Sequence, residues 1–250
     1  MHKETQQQVE QQCLKLIQDK VRNNKVIWVG FDHEYQKEIT QQILNLTQNP
    51  IEKVFPDYIG PKYIFEHFRI TSAGENRKGA KIQRKLADIN REVEAEMAAN
   101  ADDTHTIIRN DPMPPHTYVN YQQSIIRNCE SHLNALHKYT EPYECVGFVL
   151  HYTDFALFFD SDDTILFHDD KTYRLSKDTM TLSQLLLYKE KIDFIIFVTN
   201  DSVEILNLKN LQSPYVPESV VYVRARETGH MTMHIKDKIG PLSLKRFKLF

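Results

Sequence analysis

The amino-acid sequence predicts a mixed α/β fold. Apolar residues recur three or four positions apart in several stretches, which is the spacing of amphipathic helices. Other stretches are short runs of β-branched and aromatic residues bounded by turn residues, which are typical of strands. Strand patterns dominate after the middle of the chain. We therefore predict an α/β domain over residues 1–140 and a strand-rich C-terminal portion over residues 141–250, with a soft boundary between them.

The composition is that of an ordinary globular protein. Hydrophobic residues make up 41% and charged residues 26% of the 250 residues, and the net charge is −3. No apolar run approaches the roughly 20 residues that a membrane span needs, and the start of the chain lacks the apolar core of a secretory signal. The three cysteines are far apart and form no C-x-x-C pair. We expect reduced thiols, a cytoplasmic location and no membrane association.

The first part of the chain predicts two helices, a strand and a hairpin. The helices follow from apolar spacing, and the strands follow from β-branched and aromatic content. The hairpin turn is supplied by Gly60-Pro61-Lys62. In chain order the elements are a helix over 9–21, a strand over 26–29, a helix around 39–46, and two hairpin strands over 54–59 and 63–70.

The rest of the chain predicts two further long helices and a series of strands. Helical spacing is clear over 82–97 and over 118–137. Residues 102–115 contain three prolines and no sustained periodicity, so we predict a loop or a lid there. Beyond residue 140 the predicted elements are strands over 146–152, 155–160, 164–167, 194–199 and 203–208, with one helix near 182–189.

The hairpin carries two carboxylates that we expect to converge. Asp57 lies near the end of its first strand and Glu66 near the start of the second, so antiparallel pairing places them side by side. Two adjacent carboxylates repel each other unless a cation lies between them, and hard cations such as Mg²⁺ prefer oxygen ligands. The alternative is a pair of exposed hairpin charges without a ligand. From spacing alone, that alternative is favoured.

The string from Val54 to Phe68 resembles the core of the PD-(D/E)xK nuclease superfamily. In that family a Pro-Asp pair closes one strand and a Glu or Asp lies in the next, within a restriction-endonuclease-like αβββαβ core. Pro56-Asp57 and Glu66 match this pattern, and the resemblance covers residues 26–152. The chain departs from the family two positions after the Glu, where Phe68 replaces the usual lysine.

The resemblance implies a catalytic site. Asp57 and Glu66 would hold Mg²⁺ or Mn²⁺, and Glu34 of the second helix would complete the metal shell. Because the family lysine can migrate to the following helix, Lys81 is the candidate for its catalytic role. Residues 69–91 are also the most basic stretch of the chain, which is typical either of a phosphate-contacting surface or of a solvated helix face. The expected nucleic-acid contacts are Arg69, Arg77, Lys78, Lys81 and Lys85.

Other motifs favour no alternative chemistry. His230 and His234 have the spacing of zinc ligands on a helix, but their surroundings alternate as in a strand. The acidic groups near residues 160–170 lack the glycine and terminal glutamate of a calcium loop, so we interpret them as turns. No nucleophile elbow or dinucleotide fingerprint is present, and the chain has only seven glycines.

Three functions are compatible with these patterns. The first is a metal-dependent endonuclease that hydrolyses DNA, with a role in restriction or antiviral defence as such folds often have. The second is a nuclease-like protein without catalysis that binds nucleic acid or a protein, which Phe68 favours. The third is an assembly subunit or homo-oligomer that docks through the strand-rich part.

Overall fold

A mixed sheet with helices on both faces forms the centre of the protein, and this confirms the α/β class. The computed structural model describes residues 5–51, 54–73, 106–112, 116–154, 157–160, 173–200, 202–211, 222–225 and 230–236. Among these residues the strands are β1 (Val26–Val29), β2 (Thr47–Gln48), β3 (Tyr58–Ile59), β4 (Tyr63–Ile70), β5 (Thr106–Pro112), β6 (Cys145–Tyr152), β7 (Leu157–Asp160), β8 (Phe194–Val198), β9 (Val203–Asn207), β10 (Tyr222–Ala225) and β11 (His230–Lys236).

Seven of these strands form the main sheet, in the order β1-β9-β8-β6-β4-β3-β2. Strands β2, β3 and β4 follow one another as an antiparallel meander. Strand β6 then pairs parallel to β4, and β8 pairs parallel to β6. The sheet therefore joins strands from both sides of residue 140. Two separate pairs, β7 with β10 and β5 with β11, are antiparallel.

The described helices cover the two faces of the sheet. They are α1 (Gln6–Arg22), α2 (His33–Leu44), α3 (Tyr118–Leu136) and α4 (Thr179–Leu185). Each begins at a residue whose side chain accepts a hydrogen bond from the first turn, the usual helix N-cap. Apolar residues of α1 and α2 pack in one core cluster, and those of α3 and α4 pack in a second cluster on the opposite face. No described helix is long and apolar enough to cross a bilayer.

The alternation of side chains along β4 divides that strand between the two clusters. Tyr63 and Phe65 belong to the cluster of α1, whereas Ile64 and Phe68 belong to the cluster of α3. Successive side chains of a strand point to opposite faces, so Glu66 is directed toward α3 and His67 toward α1. This division determines which partners each candidate site residue can reach.

The first hairpin strand is shorter than the sequence predicts. Instead of spanning 54–59, it is confined to β3, and residues 54–57 lie outside any strand. Backbone carbonyl groups in this segment are occupied by a side chain, because Asn49 Nδ2 donates to the oxygens of Val54 at 3.3 Å and Pro56 at 2.9 Å. These two carbonyls therefore accept hydrogen bonds although they lie outside any strand.

The predicted loop or lid at 102–115 is wrong over its centre. Residues Thr106–Pro112 form β5, which pairs along its whole length with β11. The partner lies more than a hundred residues away, so local periodicity contained no sign of it. The strand character expected around His230 and His234 is confirmed by β11.

Most other predicted elements are confirmed within a few residues. The helices over 9–21 and 118–137 correspond to α1 and α3, and the apolar strand over 26–29 is β1. The helix near 182–189 begins earlier, as α4, and continues as a short 3₁₀ turn over Leu186–Tyr188. The helix over 82–97 and the strand over 164–167 lie outside the described residues.

Candidate metal centre

Asp57 and Glu66 are neighbours across the hairpin. The β3–β4 register pairs Tyr58 with Phe65, so the preceding residue of one strand lies opposite the following residue of the other. The backbone N–H of Asp57 donates to Glu66 Oε2 at 3.1 Å, and the N–H of His67 donates to Asp57 Oδ2 at 2.9 Å. The two residues are therefore neighbours, but among the described residues the two carboxylates belong to no common group of candidate metal ligands.

Glu66 is engaged on both of its oxygens. While Oε2 accepts from Asp57, Oε1 accepts from His132 Nδ1 on α3 at 2.6 Å. The His132 ring stacks on Phe68, with ring centroids 4.8 Å apart and planes 10° apart. Phe68 is 4% exposed and belongs to the apolar cluster under α3. The position of the family lysine is thus part of the core, and Glu66 anchors the backbone of Asp57.

The carboxylate of Asp57 lies among like charges. Burial, followed by the Glu66 and Glu10 carboxylates, raises the pKa of Asp57 to about 8, although the His67 N–H opposes that rise. A carboxyl group in such surroundings is stabilised either by a proton or by a cation. The arrangement therefore favours binding of positive charge at Asp57.

Glu10 of α1 provides the second carboxylate on the His67 face. Its side chain is 8% exposed, and Oε2 accepts from Gln48 Nε2 at 3.1 Å. Candidate ligand atoms of Glu10, Asp57 and His67 all lie within 4.8 Å of one another. We call these three residues the carboxylate ligand group.

A second group of candidate ligands shares the same imidazole. Candidate ligand atoms of Cys13, His67 and His151 also lie within 4.8 Å of one another, and we call these residues the thiol ligand group. His67 Nε2 is 3.3 Å from His151 Nδ1. Burial lowers the pKa of His67 to about 3 and that of His151 to about 4, so both imidazoles are neutral at pH 7.

One atom of this cluster lacks a partner. His67 is 2% exposed, and its Nδ1 is buried without a hydrogen-bond partner among the described residues. A neutral imidazole carries one N–H and one lone pair, so Nδ1 is an orphaned donor or an orphaned acceptor, depending on which ring nitrogen holds the proton. Buried polar atoms are normally paired, and an orphan calls for an explanation such as an ion.

Arg69 acts electrostatically on the three residues of the thiol ligand group. It is exposed and lies on the same face of β4 as His67. Its positive charge contributes to lowering the pKa of Cys13, His67 and His151, which places the guanidinium within electrostatic reach of all three. Of the predicted basic contacts, Arg69 is the one within the described residues. Arg77, Lys78, Lys81 and Lys85 lie outside them.

The remaining predicted ligand lies elsewhere. Glu34 is in the first turn of α2, is exposed, and belongs to neither group. The residues that sequence reasoning missed are Glu10, Cys13, His67 and His151. The spacing of Glu10 and Cys13 places them on one helix face, but only packing against β3 and β4 distinguishes that face from an ordinary apolar stripe.

No protein-family model, curated protein or solved structure matches this chain.

Proposed function

We propose that the protein is a metal-dependent nuclease whose divalent cation is held by the carboxylate ligand group, which consists of Glu10, Asp57 and His67. The observation that carries this proposal is the convergence of two buried or half-buried carboxylates with the imidazole of His67, whose candidate ligand atoms lie within 4.8 Å of one another. The proposal keeps Asp57 as a metal ligand. It assigns the other positions to Glu10 and His67 instead of Glu34 and Glu66.

The donor set favours Mn²⁺ over Mg²⁺. Carboxylate oxygens suit both ions, whereas an imidazole ligand is typical of transition metals. The buried imidazole of His67 would supply that ligand. When bound, such a cation acidifies water and neutralises charge on a phosphodiester.

The neighbouring residues have supporting roles in this proposal. Glu66 fixes the backbone of Asp57 and is itself held by His132, so it acts as a positioning residue. Arg69 lies on the exposed side and would contact a substrate phosphate. DNA is the proposed substrate, and a role in restriction or antiviral defence remains part of the proposal.

The order of elements also supports a restriction-endonuclease-like core. A helix, three antiparallel strands, a helix and a parallel strand correspond to α1, β2-β3-β4, α3 and β6. The insertion of β1 and α2 after the first helix is a departure from that order. The alternative of two exposed hairpin charges without a ligand gives no role to the buried imidazole of His67.

Calorimetric titration with Mn²⁺ tests the metal assignment. We expect the wild type to bind Mn²⁺, and Asp57→Asn and Glu10→Gln to bind at least tenfold more weakly, a loss of about 1.4 kcal/mol or more. Glu34→Gln is the matched control, because it removes the same charge from an exposed residue outside the group. Unchanged Mn²⁺ affinity in both site variants contradicts the assignment.

Cleavage assays separate the catalytic proposal from its alternative. We expect single-turnover cleavage of DNA in Mn²⁺, and a decrease of about a hundredfold or more in Asp57→Asn, since charge stabilisation in the transition state is worth several kcal/mol. The specific observation favouring a non-catalytic binding subunit is the burial of Phe68 in the core. A wild type that binds Mn²⁺ but cuts neither DNA nor RNA supports that second function.

A further inference from the structure

We propose that Cys13, His67 and His151 form a second metal site, which takes Zn²⁺ or a similar thiophilic divalent ion. The site lies between α1, β4 and β6, on the face of the sheet opposite α3. Its existence does not depend on the proposed nuclease activity. Only its competition with the carboxylate ligand group, with which it shares His67, rests on that function.

The ligand types fit zinc. Zn²⁺ binds cysteine sulfur and imidazole nitrogen, and three protein ligands with an open fourth position are typical of non-structural zinc sites. A neutral imidazole has a lone pair to donate, and His67 Nε2 and His151 Nδ1 face each other. The Cys13 thiol would release its proton to solvent as the bond from Sγ to the metal forms.

The spacing of the nitrogens also fits. Two imidazole nitrogens on a tetrahedral Zn²⁺ are about 3.3 Å apart, given Zn–N bonds of about 2.0–2.1 Å. His67 Nε2 and His151 Nδ1 are 3.3 Å apart, a distance that suits either a hydrogen bond between the rings or two nitrogens on one metal ion. His67 is buried, and its other nitrogen lacks a partner among the described residues.

Two charged side chains, Arg69 and Glu10, act on the pKa of the Cys13 thiol in opposite directions. Burial raises the pKa of Cys13 to about 12, although the Tyr58 hydroxyl and the Arg69 charge oppose the rise. Tyr58 itself donates to the backbone oxygen of Glu10 at 2.8 Å. His151 is half-buried, whereas Cys13 and His67 are buried.

Sharing of His67 has a consequence for the nuclease proposal. A neutral imidazole has only one lone pair, so Zn²⁺ at the thiol ligand group should weaken Mn²⁺ binding at the carboxylate ligand group. By thermodynamic reciprocity, Mn²⁺ should weaken Zn²⁺ binding by the same factor. Excess Zn²⁺ would then inhibit cleavage.

Titration of the full chain with Co²⁺, a spectroscopic substitute for Zn²⁺, tests the site. We expect a near-ultraviolet thiolate-to-cobalt charge-transfer band in the wild type, and displacement of Co²⁺ by Zn²⁺. Cys13→Ser should lose the band. Cys129→Ser is the matched control, because Cys129 is equally buried, and burial raises its pKa to about 12 too, but it lies on α3 on the opposite face. The control should keep the band.

Two further variants keep the result decisive. His151→Gln changes a partly exposed residue and should weaken Co²⁺ binding at least tenfold even if Cys13→Ser fails to fold. Asp57→Asn should keep the charge-transfer band, because Asp57 does not belong to the thiol ligand group. A loss of Mn²⁺ binding is thereby distinguished from a loss of the Co²⁺ site. No Co²⁺ or Zn²⁺ binding by the wild type, or a band that survives in folded Cys13→Ser, overturns the proposal.

Discussion

The imidazole of His67 connects the two candidate metal groups. The residue directly follows Glu66, yet the two side chains point to opposite faces of β4 and have different tasks. Glu66 is satisfied by two N–H donors, whereas His67 keeps one buried nitrogen without a partner among the described residues. A single step along the strand therefore separates a positioning residue from a candidate ligand.

His116 belongs to a buried polar cluster near the ends of β4 and β6. Its Nδ1 lies 2.7 Å from Ser72 Oγ, and Asp154 Oδ2 accepts from the Ser72 N–H at 2.8 Å. Burial lowers the pKa of His116 below its ordinary value of 6.5, even though the Asp154 carboxylate acts in the opposite direction. The cluster should therefore make the folded state sensitive to acid.

We predict that His116 contributes to a loss of stability below its unfolded-state pKa. A base whose pKa is lowered by folding binds fewer protons in the native state, so the free energy of unfolding is constant at higher pH and decreases as the pH falls below about 6.5. His116→Gln should show a smaller decrease than the wild type in urea unfolding between about pH 7.5 and pH 5.5.

The exposed His137 provides the control for this prediction. His137→Gln should retain the pH dependence of the wild type. The same decrease in stability with falling pH in His116→Gln as in the wild type would show that another group causes the acid sensitivity.

Among the elements, the shortness of β3 leaves Asp57 outside the paired residues of the hairpin. Because the strand begins at Tyr58, Asp57 lies just before the residues of β3 that pair with β4, and its carboxylate accepts from the His67 N–H. The backbone of Asp57 is held from both sides, since its N–H donates to Glu66 and its carbonyl accepts from Asn49 N at 2.8 Å. The site is thus built on a fixed strand end.

The pairing of β4 with β6 depends on a glycine. Gly147 lies opposite Phe65, and a Cβ at this position would be 2.2 Å from Phe65 Cε1. Phe65 is 1% exposed and packs among the residues of α1 and α2, so the ring cannot move away easily. We predict that Gly147→Ala lowers the free energy of unfolding by about 1–3 kcal/mol, the usual cost of overpacking.

A double-mutant cycle measured by urea unfolding checks this cause. In the background of Phe65→Leu, which removes the clashing ring edge, Gly147→Ala should cost clearly less. An equal loss in both backgrounds would mean that the contact with Phe65 is not responsible.

At the scale of the whole molecule, the distribution of charge matters more than the total of −3. Arg69 places one positive charge near Cys13, His67 and His151, and the basic residues that follow it in the sequence are proposed to bind nucleic acid. A phosphate-binding surface and a solvated helix face differ in one measurable property, which is the dependence of nucleic-acid affinity on salt.

We predict that replacing Lys78, Lys81 and Lys85 together by Gln weakens nucleic-acid binding across sequences. The slope of log affinity against log salt should flatten by roughly one unit for each lost phosphate contact, because fewer counterions are released. A control that replaces Lys138, Lys189 and Lys191 by Gln has the same charge change and should leave the slope unchanged. Equal slopes in wild type and test variant would support a merely solvated role for the basic segment.

The sequence by itself determined the elements whose pattern is local. The spacing of apolar residues predicted α1 and α3, and β-branched and aromatic content predicted β4 and β6. It also determined that Asp57 and Glu66 meet, because the strands of a hairpin are neighbours in the chain and must pair with each other.

Only the tertiary structure decided which residues join them. Cys13 comes from a helix more than fifty residues before His67, and His151 from a strand more than eighty residues after it. Their side chains resemble those of any buried helix or strand until α1 packs on the sheet and β6 pairs with β4. The same holds for β5, whose partner β11 is remote in sequence. Local periodicity reports which face of an element is buried, but contacts between distant segments depend on how those faces pack together.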